Sequence, residues 1–269
     1  MSFKRAAPLG KVLGNSISKC NLWFSGIIMV CSKIIYRRYK GYMKITRGGI
    51  VQKEVHMRTI SEIRYDKLGP KVVKALKSRF FEAWYFDNPE EAIEKLFSLV
   101  PKDHVISWGG SLTTVGLGIQ KSAVERGYQV IDRDTASTRE ERTELMRKAL
   151  LCDTYIAGTN AISEDGQLVN VDGFGNRVAA MCFGPRQVIL VVGMNKVVKD
   201  LDTAMTRART VAGPANAQRF PDNKTPCTID GSCADCQSPD SICSYIVTTR
   251  MCKPAGRIKV ILIGKDLGL

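Results

Sequence analysis

Four thiols fall within seventeen positions of the chain, Cys227, Cys233, Cys236 and Cys243, in the order C-x5-C-x2-C-x6-C. They lie in a Pro-, Gly-, Asp- and Ser-rich stretch without apolar periodicity. A metal held by four thiolates would order such a segment without a core of its own. Zinc or an iron–sulfur cluster fits this ligand count. Only Cys233-x2-Cys236 has a standard spacing, and no ferredoxin run is present, which leans toward a structural metal. Free thiols and disulfides are the other readings. Disulfides are disfavoured because Cys152 and Cys182 sit in core-like segments of a chain that reads as cytoplasmic. Cys252 is a spare ligand.

Two further stretches carry polar groups suited to a small molecule. In Trp108-Gly109-Gly110-Ser111-Leu112-Thr113-Thr114 a strand turns into a helix. Glycines there let backbone approach a ligand, and the Ser111 and Thr113 hydroxyls offer bonds to an anion. A plain tight turn capped by a hydroxyl would use the same residues. The second stretch, Gly158 to Arg177, reads GTNAISEDGQLVNVDGFGNR. Glu164-Asp165-Gly166 predicts a turn between two strands, surrounded by Asn160, Asn170, Asp172, Asn176 and Arg177. A guanidinium among strand-end amides and acids suits bidentate carboxylate or phosphate. Ligands of open α/β sheets bind at the carboxyl ends of strands, so the two stretches predict one ligand site, with Gly109, Gly110, Ser111, Thr113, Asn160, Asn170 and Arg177 as binding residues. Glu164, Asp165 and Asp172 are the candidate acids or bases. Side-chain-to-backbone turns would also account for the Asn and Asp residues. Past residue 56 the only histidine is His104, which argues against a Ser-His-Asp hydrolase and a His-rich catalytic metal centre.

The elements positioning these residues alternate in period. Ser61 to Phe86 reads helical, split at Gly69-Pro70, and Asp87-Asn88-Pro89-Glu90-Glu91 starts a second helix. His104–Trp108, Tyr128–Ile131, Thr154–Ala157, Val188–Val192 and Arg257–Ile263 read as strands. Thr113–Arg126, a helix capped by Ser137 or Thr138 and running to Leu151, and Lys196–Val211 read as helices. Such alternation predicts an α/β fold, a mainly parallel sheet flanked by helices, with a Cys-rich C-terminal loop. The expected organisation is a leader over 1–56, N-terminal helices over 57–100, an α/β core over 101–213, and the cysteine loop with a closing strand over 214–269.

The chain has 269 residues and a formal charge of +14, but the charge is concentrated at one end. Residues 1–56 carry eleven Lys or Arg against the single acid Glu54, leaving twenty-nine basic and twenty-five acidic residues in the remainder. That near balance removes most of the case for a nucleic-acid partner. The leader fits three readings: a signal peptide, with Leu22–Cys31 as its apolar run; a basic surface anchor; or translated upstream sequence. The third accounts for Lys53-Glu54-Val55, which AAG-GAG-GTN can encode as a purine-rich ribosome-binding sequence just before Met57. No tract of about 18 apolar residues predicts a membrane span.

ISWGGSLTT, GTNAISEDGQLVNVDGFGNRVAAMCFGP, VILVVGMNKVV, AGPANA and TPCTIDGSCADCQSPDSIC together resemble the LUD (lactate utilisation) domain family over roughly Met57 to Leu269. The resemblance implies the fold of the glucosamine-phosphate deaminase, ribose-phosphate isomerase and CoA-transferase group. It also implies a link to lactate oxidation with iron–sulfur partner subunits. The chain is closer to the small subunit of that system, since it lacks C-x2-C-x2-C-x3-C runs, and it assigns no nucleotide cofactor. A weaker similarity to the sugar-phosphate isomerases of the same group places Asn160 where they carry a catalytic aspartate, and an amide cannot act as general base. Three functions follow as expectations: a protein that binds a small anionic metabolite and takes part in 2-hydroxy-acid oxidation, a non-enzymatic metal-binding accessory subunit, and a phosphosugar isomerase or acyl-transfer enzyme.

Overall fold

The structure is a computed structural model describing residues 58–269, so the readings of the leader fall outside the described residues. The chain enters through α1 (Ile60–Ser78), a single helix that Gly69-Pro70 does not split. Pro70 lies on its exposed side, while Gly69 is buried where the Tyr85 ring meets the backbone; a Cβ there would stand 2.5 Å from Tyr85 Cε2. The buried positions Glu62, Tyr65, Gly69, Val72 and Leu76 recur at three and four residues, one helical face.

The helical reading of Ser61–Phe86 fails beyond Ser78. Phe80 takes a left-handed φ of 66°, and Phe81 N–H returns to the Leu76 carbonyl at 3.2 Å, closing the helix. The aromatic-rich Glu82–Phe86 that follows is strand β1. Phe81 and Ala83 alternate inward, so residues 57–100 are not all helical. Asn88 then caps α2 (Pro89–Ser98), its side chain accepting from Glu90 N–H at 2.7 Å.

The remaining elements run β2 (Val105–Trp108), α3 (Leu112–Gly116), α4 (Ile119–Glu125), β3 (Gln129–Ile131), α5 (Arg139–Lys148), β4 (Thr154–Ala157), β5 (Ala161–Ser163), β6 (Leu168–Asp172), α6 (Asn176–Cys182), β7 (Gln187–Gly193), β8 (Val197–Val198), α7 (Leu201–Arg207), α8 (Gly213–Ala217), α9 (Pro226–Asp230), β9 (Tyr245–Thr249) and β10 (Ile258–Ile263). Thr138 caps α5 as its sequence predicts, through a bond from Glu141 N–H. The expected helix from Lys196 begins only at Leu201, where Asp200 accepts from Thr203 N–H at 2.9 Å. Residues 194–198 instead form a tight turn and β8.

Six strands form an all-parallel sheet in the order β1-β10-β7-β4-β2-β3. The last strand is therefore interior, between β1 and β7. β7 is buried at every position, as a strand covered on both faces must be. Its side chains alternate: Val188, Leu190 and Val192 join a core with α1, while Ile189 and Val191 join one with α2 and α4. A second sheet, β8-β5-β6-β9, shares the first of these cores through Ile162 and Leu168 and packs its other face, Ala161, Val169 and Val171, on α7. Among the described residues no helix is long and apolar enough to cross a membrane.

Candidate functional site

The turns leaving β2, β4 and β7 and the turn from β6 into α6 converge at the carboxyl end of the main sheet, and these carry most of the residues singled out in the sequence. Arg177, at the start of α6, is the hub. It donates to Asn170 Oδ1 at 2.6 Å, Asn160 Oδ1 at 3.0 Å, the Val171 carbonyl at 2.6 Å and the Gly158 carbonyl at 3.3 Å. Asp172 stands 3.8 Å from its Nε and also accepts from the N–H groups of Gly175, Arg177 and Val178. Burial pulls the guanidinium below its ordinary pKa, with Asp172 opposing the shift. The structure thus brings Asn160, Asn170, Asp172 and Arg177 together. It turns the guanidinium toward protein acceptors, and Asp172 caps a helix.

The glycine turn lies against this hub. A Cβ on Gly109 would stand 3.2 Å from Arg177 Cδ and 3.3 Å from the Tyr155 hydroxyl; on Gly110 it would stand 2.6 Å from an Arg133 terminal nitrogen. These glycines are small because side chains occupy the space. Burial pushes the Tyr155 phenol up to about 12, against the pull of Arg133 and Arg177. Ser111 Oγ caps Thr114 N–H at 3.3 Å. Thr113 Oγ1 is bonded by Lys196 Nζ at 3.1 Å and reaches the Leu267 carbonyl at 3.3 Å, so the segment after β10 borders the site.

Lys196 and Arg207 were not anticipated from sequence. Lys196 is 5% exposed, and burial lowers its ammonium to about 8, with Arg207 and Arg177 adding repulsion. Among the described residues Arg207 bonds carbonyl oxygens alone, of Asn195 at 3.2 Å and Asn160 at 2.5 Å. Among the described residues neither cation has a carboxylate within ion-pair distance. Asn170 is fully buried and its Nδ2 has no acceptor; Arg133 Nε also lacks a hydrogen-bond partner. The site therefore gathers Arg133, Arg177, Lys196 and Arg207, with Asp172 beside Arg177, Asp134 3.9 Å from Arg133 Nε, and an unanswered amide donor. The only sequence hint was Asn195-Lys196 directly after the most buried strand.

Glu164 and Asp165 lie elsewhere, across the β5–β6 hairpin from Asn160. Glu164 pairs with Lys199 at 3.3 Å. Asp165 is held by Arg79 at 2.5 Å, by Gln167 at 3.1 Å and by the Ser163 hydroxyl. Burial would raise its carboxyl, but the Ser163, Gln167 and Arg79 contacts together hold it below the usual range. Both acids serve the turn.

All seven described cysteines are free, and Cys182 is exposed. Cys227, Cys233, Cys236 and Cys243 line a single cavity of about 60 Å³ beside Arg209, Pro214, Ala217 and Ile242. Burial pushes the Cys243 thiol up to about 11, helped by Cys227, Cys233 and Cys236 nearby. Among the described residues no three His, Cys, Asp or Glu side chains converge where a single metal ion would sit.

Solved structures similar to the chain include a DUF162 family protein from Deinococcus radiodurans, at 14% identity and a TM-score of 0.41, covering 74% of this chain and 97% of that one. eIF2B beta and eIF2B delta from Chaetomium thermophilum align at 17% and 14% identity with TM-scores of 0.31 and 0.30. The first alignment covers 43% of this chain and 44% of the other; the second covers 54% and 59%. No curated protein matches the chain. The LUD domain model matches residues 69–263, a span that takes in both the cation-rich strand ends and the cysteine cavity. The chain belongs to the LUD-domain family.

Proposed function

We propose that the chain binds a small anionic metabolite at the carboxyl ends of β2, β4 and β7. We take this ligand to be a carboxylate of the 2-hydroxy or 2-oxo acid type, with the chain working as a component of lactate or related 2-hydroxy-acid oxidation beside iron–sulfur partner subunits. The observation that carries the reading is Lys196, a buried ammonium with no carboxylate partner among the described residues, in the field of Arg177 and Arg207. A buried cation left without a counter-ion is costly, and an anionic ligand removes that cost. On this reading Lys196 and the Thr113 hydroxyl meet the carboxylate, the Asn170 amide donates to a second ligand oxygen, and Arg177 holds Asn160 and Asn170 in place. Family membership supports the choice of a hydroxy acid over other anions.

A non-enzymatic accessory role is the second reading. It is favoured because Glu164 and Asp165 are committed to the hairpin and Asp172 to the α6 cap, so none of these three candidate acids is free for acid/base work. The same commitments disfavour isomerase or acyl-transfer chemistry. Calorimetry with L-lactate, pyruvate and inorganic phosphate tests the site. A carboxylate is expected to bind, and Lys196→Met to weaken it at least tenfold, the scale of one charge-assisted hydrogen bond. No binding of any of the three, or binding untouched by Lys196→Met, would overturn the reading. Lactate turnover with and without iron–sulfur partners separates the two roles.

A further inference from the structure

The segment 218–244 is the least conventional part of the described chain. Apart from the five-residue α9 it has no helix or strand, and Thr225 is its only buried residue. Ordering a backbone costs about 1–2 kcal/mol per residue, and this one has little apolar surface with which to offset it. Its internal bonds are local: Asn223 and Lys224 to Asp240, Ser238 to the Lys224 carbonyl, Thr228 to Thr225 and Asn223. Together these fold the segment into a cup, and the cup faces inward with all four thiols.

The cup's size decides between two ligands. Around one zinc ion, four sulfurs at about 2.3 Å stand roughly 3.8 Å from one another and leave no room between them. Here the four thiols and thirteen other residues line a cavity of about 60 Å³, several times the ~10–15 Å³ that one water needs. Among the described residues no three such donors converge on a point. Thiolates spread over the wall of a cavity suit a cluster, in which the ligands reach different metal atoms. The rest of the wall is mixed: Pro214, Ala217, Pro226, Ile242 and Ile246 are apolar, Asp235 and Asp240 are acidic, and Arg209, paired with Asp235, supplies positive charge beside a ligand set that becomes anionic when the thiols lose their protons.

We infer that Cys227, Cys233, Cys236 and Cys243 hold an iron–sulfur cluster in this cavity, rather than the single structural ion that their spacing alone suggests. The cavity shares no lining residue with the anion site, although Arg219 of the same segment donates to the Gly110 carbonyl at 3.4 Å. The cluster would give this chain an electron-carrying centre of its own.

The test is anaerobic preparation of the full chain, with reconstitution by ferrous iron and sulfide, followed by metal and acid-labile sulfide analysis and visible and electron-spin spectra. Iron and sulfide are expected in roughly equal amounts, roughly two to four of each per chain, with a visible charge-transfer band that bleaches on dithionite. Cys236→Ser should lose most of the iron, while Cys182→Ser, outside the cavity, and Lys196→Met should retain it. Should Cys236→Ser fail to fold, alkylation of the intact chain decides instead: the four thiols should be protected until iron is stripped with acid. One equivalent of zinc without sulfide would overturn the cluster, as would four thiols that alkylate freely after reconstitution.

Discussion

Lys196 is the residue whose ionisation most directly reports on the site. Its pKa is depressed to about 8, so the folded chain binds fewer protons than the unfolded one between about pH 8 and 10.5. Stability from this group therefore rises with pH across that window and is lowest below it, by ~3 kcal/mol. On the proposed reading anion binding runs oppositely, because the ligand would need the ammonium. Affinity should fall about tenfold per pH unit above pH 8 and stay flat below it, and in Lys196→Met the dependence should vanish. Calorimetry from pH 6 to 10 checks both. A slope unchanged in the variant would assign the titration to another group.

Arg177 has the opposite character. Each of its terminal nitrogens has two protein acceptors, so Arg177→Met would strand Asn170 Oδ1 and two carbonyls, leave Asn160 Oδ1 with only the Val171 N–H, and leave the largely covered Asp172 carboxylate without its cation. Removing one partner of a buried pair costs roughly 3–5 kcal/mol, and denaturant unfolding should show that loss. Intact stability with abolished ligand binding would mean that the guanidinium faces the ligand after all.

At the scale of elements, the β5–β6 hairpin is pinned by its turn. Gly166 has a φ of 88°, and a Cβ there would lie 2.8 Å from the Ala75 carbonyl carbon and the Leu76 nitrogen of α1. Gly166→Ala therefore meets both backbone strain and a backbone clash, and should cost on the order of 1–3 kcal/mol in denaturant unfolding. A neutral result would show that α1 can move off the hairpin. Because the same hairpin carries Asn160 at one end and Asn170 on its return strand, its displacement should weaken anion binding as well.

For the molecule as a whole, the chain reaches its interior strand β10 only after crossing the cysteine segment. β10 is nonetheless held between β1 and β7 and is almost wholly buried. Local openings follow local burial, so if the cavity holds the proposed cluster, stripping it should speed amide exchange over 218–249 and leave β4, β7 and β10 protected. Exchange measured before and after iron removal tests this. Loss of protection in β7 would make the cysteine segment part of the global folding unit.

Much of this fold is readable without tertiary information. Thr154–Ala157 and Val188–Val192 are apolar runs that only a sheet covered on both faces can bury, and Asn88 and Thr138 announce helix starts through bonds made within four residues. Asn160, Asn170, Asp172 and Arg177 could be grouped because their spacing places them at the ends of one hairpin. What required three dimensions was everything decided by distant neighbours. Pro70 could stay inside α1 because its exposed side tolerates the missing bond, whereas Gly69 was needed to admit Tyr85 from β1. Glu82–Phe86 became a strand because β10, far along the chain, offered an edge to pair with. Lys196 joined the site only because β7 ends beside β4, one strand from β2. Local bonds are written in neighbouring residues, but burial and charge are set by whatever the topology brings alongside.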